Sequence, residues 1–202
     1  METVTKKEKE LFSPDRSYST EEYLLLEDQS PEKHDFRNGK VYKIPGAPPV
    51  HNLIAANVIT ELNIALRQRE KKYFVLTSDT KIHVPRFNSF VYPDAVVVCE
   101  QIELYPGSTT VITNPLLIVE VLSPSTKDYD KYGKFHEYKQ LTSFKEYLLI
   151  EQKTPYTIAS FKTGERTWQD TEADNLKASI FLKSIDCTIE LHNIYNGVQF
   201  PG

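Results

Sequence analysis

Three short runs dominated by apolar residues constrain this chain more than any other feature: Ala95 to Cys99 (AVVVC), Leu116 to Leu122 (LLIVEVL) and Lys145 to Ile150 (KEYLLI). A strand with one wet face alternates apolar and polar residues. A strand that is apolar throughout must be covered on both faces. The chain is therefore expected to build an α/β (α+β) fold, a mixed sheet with helices packed on it.

The flanking patterns supply the layers. Thr20 followed by EEYLLLED reads as a short N-capped helix. Phe36 to Ile44 reads as a hairpin about Asn38-Gly39, and Pro45 to Pro49 as a loop. From His51 to about Arg69, Leu53, Ile54, Val58, Leu62 and Leu66 recur at helical spacing. Tyr73 to Thr77 and Thr80 to Val84 read as strands, and Pro85 to Ser89 as a loop. Ser123 to Thr126 reads as a turn leading into a helix from about Lys127 to Gln140. After the third apolar run, Thr157 to Phe161, Thr167 to Asp170 and Lys177 to Leu182 look antiparallel, and a last helix covers Leu191 to Tyr195. One domain is expected over 19–202, preceded by a flexible N-terminus over 1–18.

Composition narrows the class. With 40% hydrophobic and 26% charged residues in 202, the chain is long and apolar enough for one sizeable core. No apolar run approaches the roughly 20 residues of a membrane span, and the first residues lack the apolar centre of a signal peptide. A cytoplasmic protein is expected, with Cys99 and Cys187 as two reduced, buried thiols. The net charge of −4 argues against a uniformly basic nucleic-acid binder, but not against a local basic groove.

Two carboxylates stand out by position. Asp94 follows Pro93 at the head of AVVVC, and Glu120 sits inside LLIVEVL. A buried carboxylate is costly unless paired or bound to metal. Two on adjacent strands repel by about 4 kcal/mol at 4 Å and an effective dielectric of 20. A shared Mg²⁺ or Mn²⁺ removes that cost. The bland readings are a turn aspartate capping its strand and a glutamate bridged to a buried cation. The next helix carries Lys131, Lys134 and Tyr138 at spacings that share one α-helical face. Either a lysine there serves the carboxylates or the face is simply solvated.

The segments YPDAVVV, LLIVEVLSPST, YDKYGKFHEY and EYLLIE resemble the Uma-type endonucleases of the PD-(D/E)xK restriction-endonuclease-like superfamily. The likeness runs from about Glu21 to Tyr195 and includes KHDFRNGKVYKI and SIDCTIEL. It implies a restriction-endonuclease-like central mixed β-sheet flanked by helices and metal-dependent phosphodiester hydrolysis. Asp94 matches the PD aspartate and Glu120 the second acid, the two metal ligands. The superfamily lysine falls on Leu122; in the Uma-type pattern a helix lysine takes its place, and Lys134 matches it. Asp35 stands where that pattern usually has glutamate, an additional ligand position. His51 matches a recurring histidine. The other histidines, including His34 and His83, read as structural, and Asp79 as a surface residue.

The leading expectation is a Mg²⁺-dependent (or Mn²⁺-dependent) endodeoxyribonuclease with DNA as partner, no membrane, and a symmetric homodimer if both strands are cut. The rivals are a catalytically silent nuclease-like domain that binds nucleic acid or protein, and a hydrolase of small phosphoesters. From Lys127 to Lys145 there are five lysines against three acids, Asp128, Asp130 and Glu137. Arg67, Arg69, Lys71 and Lys72 form a second basic cluster. The two clusters are expected to flank the carboxylates and grip phosphates in a strongly salt-dependent way.

Overall fold

The computed structural model describes residues 11–123 and 127–200. The turn expected over Ser123 to Thr126 therefore lies mostly outside the described residues. So does the start of the N-terminal segment. Within that segment the Phe12 ring packs on Tyr18, Tyr23 and His34.

The centre is a six-stranded sheet. Its strands are β3 (Tyr73–Thr77), β6 (Ala95–Cys99), β8 (Leu117–Leu122), β9 (Glu146–Glu151), β10 (Thr157–Lys162) and β11 (Trp168–Ala173). They run in the order β11-β10-β9-β8-β6-β3. Only β8 and β9 are parallel, so the sheet is mixed. All six residues of β8 are buried, as its unbroken apolar run requires. The three apolar runs supply β6, β8 and β9.

Each face of this sheet has its own cover. On one face α2 (Pro49–Leu66) lays Ile54, Val58, Leu62 and Leu66 against Val97, Val119, Val121 and Leu148. Each such side chain contributes about 1.5–3 kcal/mol on burial. The same layer holds the hairpin of β12 (Ser179–Leu182) and β13 (Cys187–Glu190) and the short α4 (Leu191–Ile194). On the other face Val96, Ile118, Leu122 and Leu149 meet Tyr138, Phe144 and Tyr147.

A second, five-stranded sheet in the order β2-β1-β5-β4-β7 stands beside the first. It contains β1 (His34–Arg37), β2 (Lys40–Lys43), β4 (Lys81–Val84), β5 (Ser89–Val91) and β7 (Val111–Ile112). Asn38 (φ 44°) and Gly39 (φ 89°) make the tight turn between β1 and β2, as the Asn-Gly pair predicts. α1 (Thr20–Glu27) covers this sheet through Tyr23, stacked on Phe36. Its cap is Ser19 rather than Thr20, in a reciprocal box with Glu22.

The sequence reading missed β5, β7 and β13. The first two have only three and two residues, too few for a period to show. A larger correction concerns the helix expected from Lys127 to Gln140. Tyr129–Lys134 forms a π-helix, and only then does α3 (Phe135–Tyr138) continue as α-helix.

Candidate active site

β6 and β8 pair with Ala95 opposite Val119 and Val96 opposite Ile118. Extending that register by one residue sets Asp94 opposite Glu120. The backbone N–H of Asp94 donates to the Val119 carbonyl at 3.2 Å, and Asp94 Oδ2 accepts the Val121 N–H at 2.7 Å. Asp94 is thus fastened to β8 on both sides of Glu120. It caps its strand and faces the cleft at once.

The π-helix supplies the partners of Glu120. An i→i+5 turn is wider than an α-helical one, and residues four apart still share a face. Asp130, Lys134 and Tyr138 are all buried. Lys134 Nζ donates to Glu120 Oε1 at 2.9 Å and to the Tyr92 carbonyl at 3.0 Å, and lies 3.2 Å from Asp130 Oδ1. The Tyr138 hydroxyl reaches Glu120 Oε1 at 3.3 Å. Lys131, expected to share this face, lies instead near the Tyr132 ring, its ammonium 5.7 Å from the centroid. Gly133 makes the wide turn possible: a Cβ there would overlap the Tyr129 ring.

His51, in the first turn of α2, places Nε2 3.0 Å from Asp94 Oδ1. Asp35 on β1 accepts the Tyr92 N–H at 3.1 Å and Arg37 Nη2 at 2.8 Å. Asp35, His51, Asp94, Glu120 and Lys134 all line one cleft of about 790 Å³, so the structure brings every sequence-predicted site residue together. Both Asp35 oxygens are engaged with Tyr92 and Arg37, the geometry of a positioning group.

Among the cleft residues not foreseen, Tyr92, Arg37, Tyr129 and Asp130 bear most on the site. Asp130, read from the sequence as one of the charges of that helix, lies four residues before Lys134 and so shares its face. Tyr92 precedes Pro93, which holds it extended. That conformation lets it give its N–H to Asp35, its carbonyl to Lys134, and its hydroxyl to Glu27 at 2.9 Å. His34, read as structural, is held by Glu27 at 2.9 Å. His83 is likewise structural, stacked on Phe90. Asp79 is exposed and paired with Lys33.

Burial drives the Glu120 carboxyl well above the ordinary range. Lys134 pulls the other way, while Asp130 and Asp94 add to the rise. For Lys134 burial opposes the charge, but Glu120, then Asp130 and Asp35, outweigh it and hold the ammonium well above its usual value. Both shifts follow from one ammonium being divided between carboxylates that outnumber it.

The basic clusters are not where the sequence reading put them. Arg67–Lys72 lies at the far end of α2 from His51, about 24 Å away for 16 residues of helix. β3, which follows, meets β6 with Thr77 beside Ala95 and Tyr73 at the distal end. Only one cluster can therefore border the cleft. Within that one Lys134 is buried, and Lys127 pairs with Glu151 at 3.1 Å.

Among the described residues no three His, Cys, Asp or Glu side chains form a closed metal cage. The donor set still fits Mg²⁺ or Mn²⁺, since Mg²⁺ is usually held by one or two carboxylates with water and phosphate completing the shell. No helix among the described residues is long and apolar enough to cross a membrane. Cys187 is buried and Cys99 only partly so; both are free thiols.

The family model of Uma2, described as "Putative restriction endonuclease", matches residues 20–190. Two proteins of Synechocystis sp. (strain PCC 6803), both called uncharacterized, are similar along their length. The protein sll1609 is 36% identical over 160 residues, covering 79% of this chain and 89% of its own. The protein slr1290 is 32% identical over 190 residues, covering 93% and 96%. A crystal structure from Anabaena variabilis, titled as a "putative nuclease belonging to DUF820", superposes with a TM-score of 0.69 at 14% identity, covering 89% of this chain and 98% of that one. At that identity the likeness speaks for the fold.

Proposed function

The chain belongs to the Uma2 family, and from that premise we propose that it is a metal-dependent nuclease hydrolysing phosphodiester bonds in DNA, with Asp94 and Glu120 holding Mg²⁺ or Mn²⁺. The charge balance of the cleft carries this reading. Its lining has five acids, Glu32, Asp35, Asp94, Glu120 and Asp130, against four cations, Lys33, Arg37, Lys43 and Lys134. With the Glu120 carboxyl pushed toward its neutral form, such a lining offers a phosphate no surplus of positive charge. A divalent cation held by Asp94 and Glu120 would supply that charge and lower the Glu120 carboxyl.

When bound, such an ion polarises a phosphoryl oxygen and acidifies a water. The protein's own groups do the rest. Lys134 keeps its proton, so it acts as a fixed cation that offsets charge growing on the phosphoryl oxygens rather than as a base. His51 orients the Asp94 carboxylate. Asp35 holds the Tyr92 backbone, whose carbonyl in turn holds Lys134.

A catalytically silent binding domain is the second reading. Lys134 is already engaged by Glu120, Asp130 and the Tyr92 carbonyl, an arrangement a fold could keep without cutting. The experiment that separates them incubates the protein with closed circular DNA, single-stranded and supercoiled, in Mg²⁺, Mn²⁺ or EDTA. Nicked or linear product is expected with metal and none with EDTA. Glu120→Gln should lower the rate about a thousandfold, equivalent to roughly 4 kcal/mol of transition-state stabilisation. Cleavage that survives EDTA or Glu120→Gln, or no cleavage of either DNA, overturns the nuclease reading.

A further inference from the structure

On β1 and β2, Asp35, Arg37 and Tyr42 share one face: Asp35 pairs directly with Tyr42, and Arg37 follows Asp35 by two residues. Phe36, on the opposite face, is packed into the aromatic core under α1. The Arg37 guanidinium lies against two rings, its carbon 3.6 Å from the Tyr129 centroid and 4.8 Å from that of Tyr42. Asp35 fixes its edge through Nη2 at 2.8 Å. With two rings this close to its central carbon, the guanidinium offers a ligand chiefly its remaining N–H groups. Tyr42 is 48% exposed and caps the stack at the cleft wall. At the other end, the absence of a Cβ at Gly133 leaves room for the Tyr129 ring.

Two further facts bear on what enters. Glu120 is 2% exposed and lies in a cleft the size of a small-molecule pocket. A phosphate that reaches Glu120 must enter the cleft, and a flexible unpaired strand bends into such a depth at less cost than a stiff duplex. Among the described residues, the rim also lacks an extended track of unpaired cations. Lys33 is tied to Asp79 and Lys43 to Glu32, each at 2.6 Å, and Arg67–Lys72 lies far off. A duplex carrying one charge per ~1.7 Å finds little to run along. A short unpaired segment held by stacking finds a prepared seat.

We propose that the Tyr42–Arg37–Tyr129 stack seats one unpaired nucleotide beside the bond to be cut, its base on Tyr42 and its phosphate on the edge of Arg37, so that the cleft takes single-stranded or locally unpaired nucleic acid. This rests on the nuclease reading above and names its substrate class. Base–aromatic stacking of this kind tolerates any base sequence.

The test is fluorescence anisotropy of the full-length protein with a labelled 12-nucleotide single strand and with the same strand annealed to its complement. Ca²⁺ replaces Mg²⁺ to hold cleavage back. The single strand should bind at least about tenfold more tightly than the duplex. Its affinity should fall with salt at a shallow log–log slope near −1, reflecting one or two phosphates. Tyr42→Ala should weaken single-strand binding about tenfold or more and leave the duplex nearly unchanged, while Tyr42→Phe retains the wild-type value. Tyr42 is half-exposed on an edge strand, so both variants should fold, and circular dichroism checks this. Equal or tighter binding of the duplex, or a Tyr42→Ala loss that is the same on both, overturns the proposal and leaves the nuclease reading intact if circular DNA is still cut. No binding of either form overturns both.

Discussion

Glu120 and Glu146 are two fully desolvated glutamates on neighbouring parallel strands, and they sit in opposite situations. Glu146 opens β9 beside Leu117 and faces the α2 side of the sheet. Its carboxylate accepts the Lys183 N–H at 2.9 Å, the Ser184 N–H at 2.9 Å and the Ser184 hydroxyl at 2.7 Å. It is a staple for the turn between β12 and β13. Glu120, beside Leu149, faces the other side and the cleft. Its partners are an ammonium it must share and two further carboxylates that raise it. Burial alone therefore does not mark a reactive acid. A carboxylate satisfied by backbone donors of one turn is structural. One left in excess of its cations, at a cleft, is set up to receive another.

Lys134→Ala should widen this contrast most. It strips the cation from Glu120 and Asp130 and leaves buried charge unpaired, an expected loss of about 3–5 kcal/mol in urea unfolding. Adding Glu120→Gln should recover part of that loss, a non-additivity that an independent pair would not show.

Next come the two glutamates themselves. Glu146→Ala leaves three part-buried donors without their acceptor and should cost about 1–3 kcal/mol, with activity per folded molecule unchanged. Glu120→Gln should change stability by less than about 1 kcal/mol or raise it, because it removes a disfavoured charge. If Glu120→Gln unfolds the protein while Glu146→Ala silences it, the assignment of roles is reversed.

The smallest effect is in pH. Burial raises the Glu146 carboxyl above 4.5, outweighing the bonds from Ser184 and Lys183 that lower it. Above 4.5 the unfolded chain ionises freely while the folded one resists. The stability this group contributes is thus full below 4.5 and is lost as pH rises through the raised folded value. Urea midpoints measured across that window should decline in the wild type and decline less in Glu146→Gln.

The central strands were legible because a doubly buried strand must be apolar throughout, and Ala95 to Cys99 and Leu116 to Leu122 admit no other use. The carboxylates were legible for the converse reason, as charges in places that charge avoids. Lys131 was misplaced because i,i+3 spacing alone does not fix the facing of a segment that opens into a π turn, and Asp130 because an acid among lysines reads as part of a solvated face although it lies four residues from Lys134. The basic cluster at Arg67 to Lys72 was misplaced because nearness in sequence to His51 ignores the length of α2. Tyr92 and Arg37 act through contacts between two sheets, which no single segment encodes.

The π-helix makes the site a matter of counting. Loss of one residue between Tyr129 and Gly133 would let the segment close as an ordinary α-helix. A π turn holds about one residue more than an α turn, so the residues after it would keep nearly the same facing, with Lys134 and Tyr138 still toward Glu120. In genetic terms, an in-frame loss of a single codon there shortens the interval between Glu120 and Lys134 without moving the lysine off the carboxylate. A comparison of relatives that demands one fixed interval would score such a chain as lacking its lysine; the interval should be read together with the presence or absence of the wide turn.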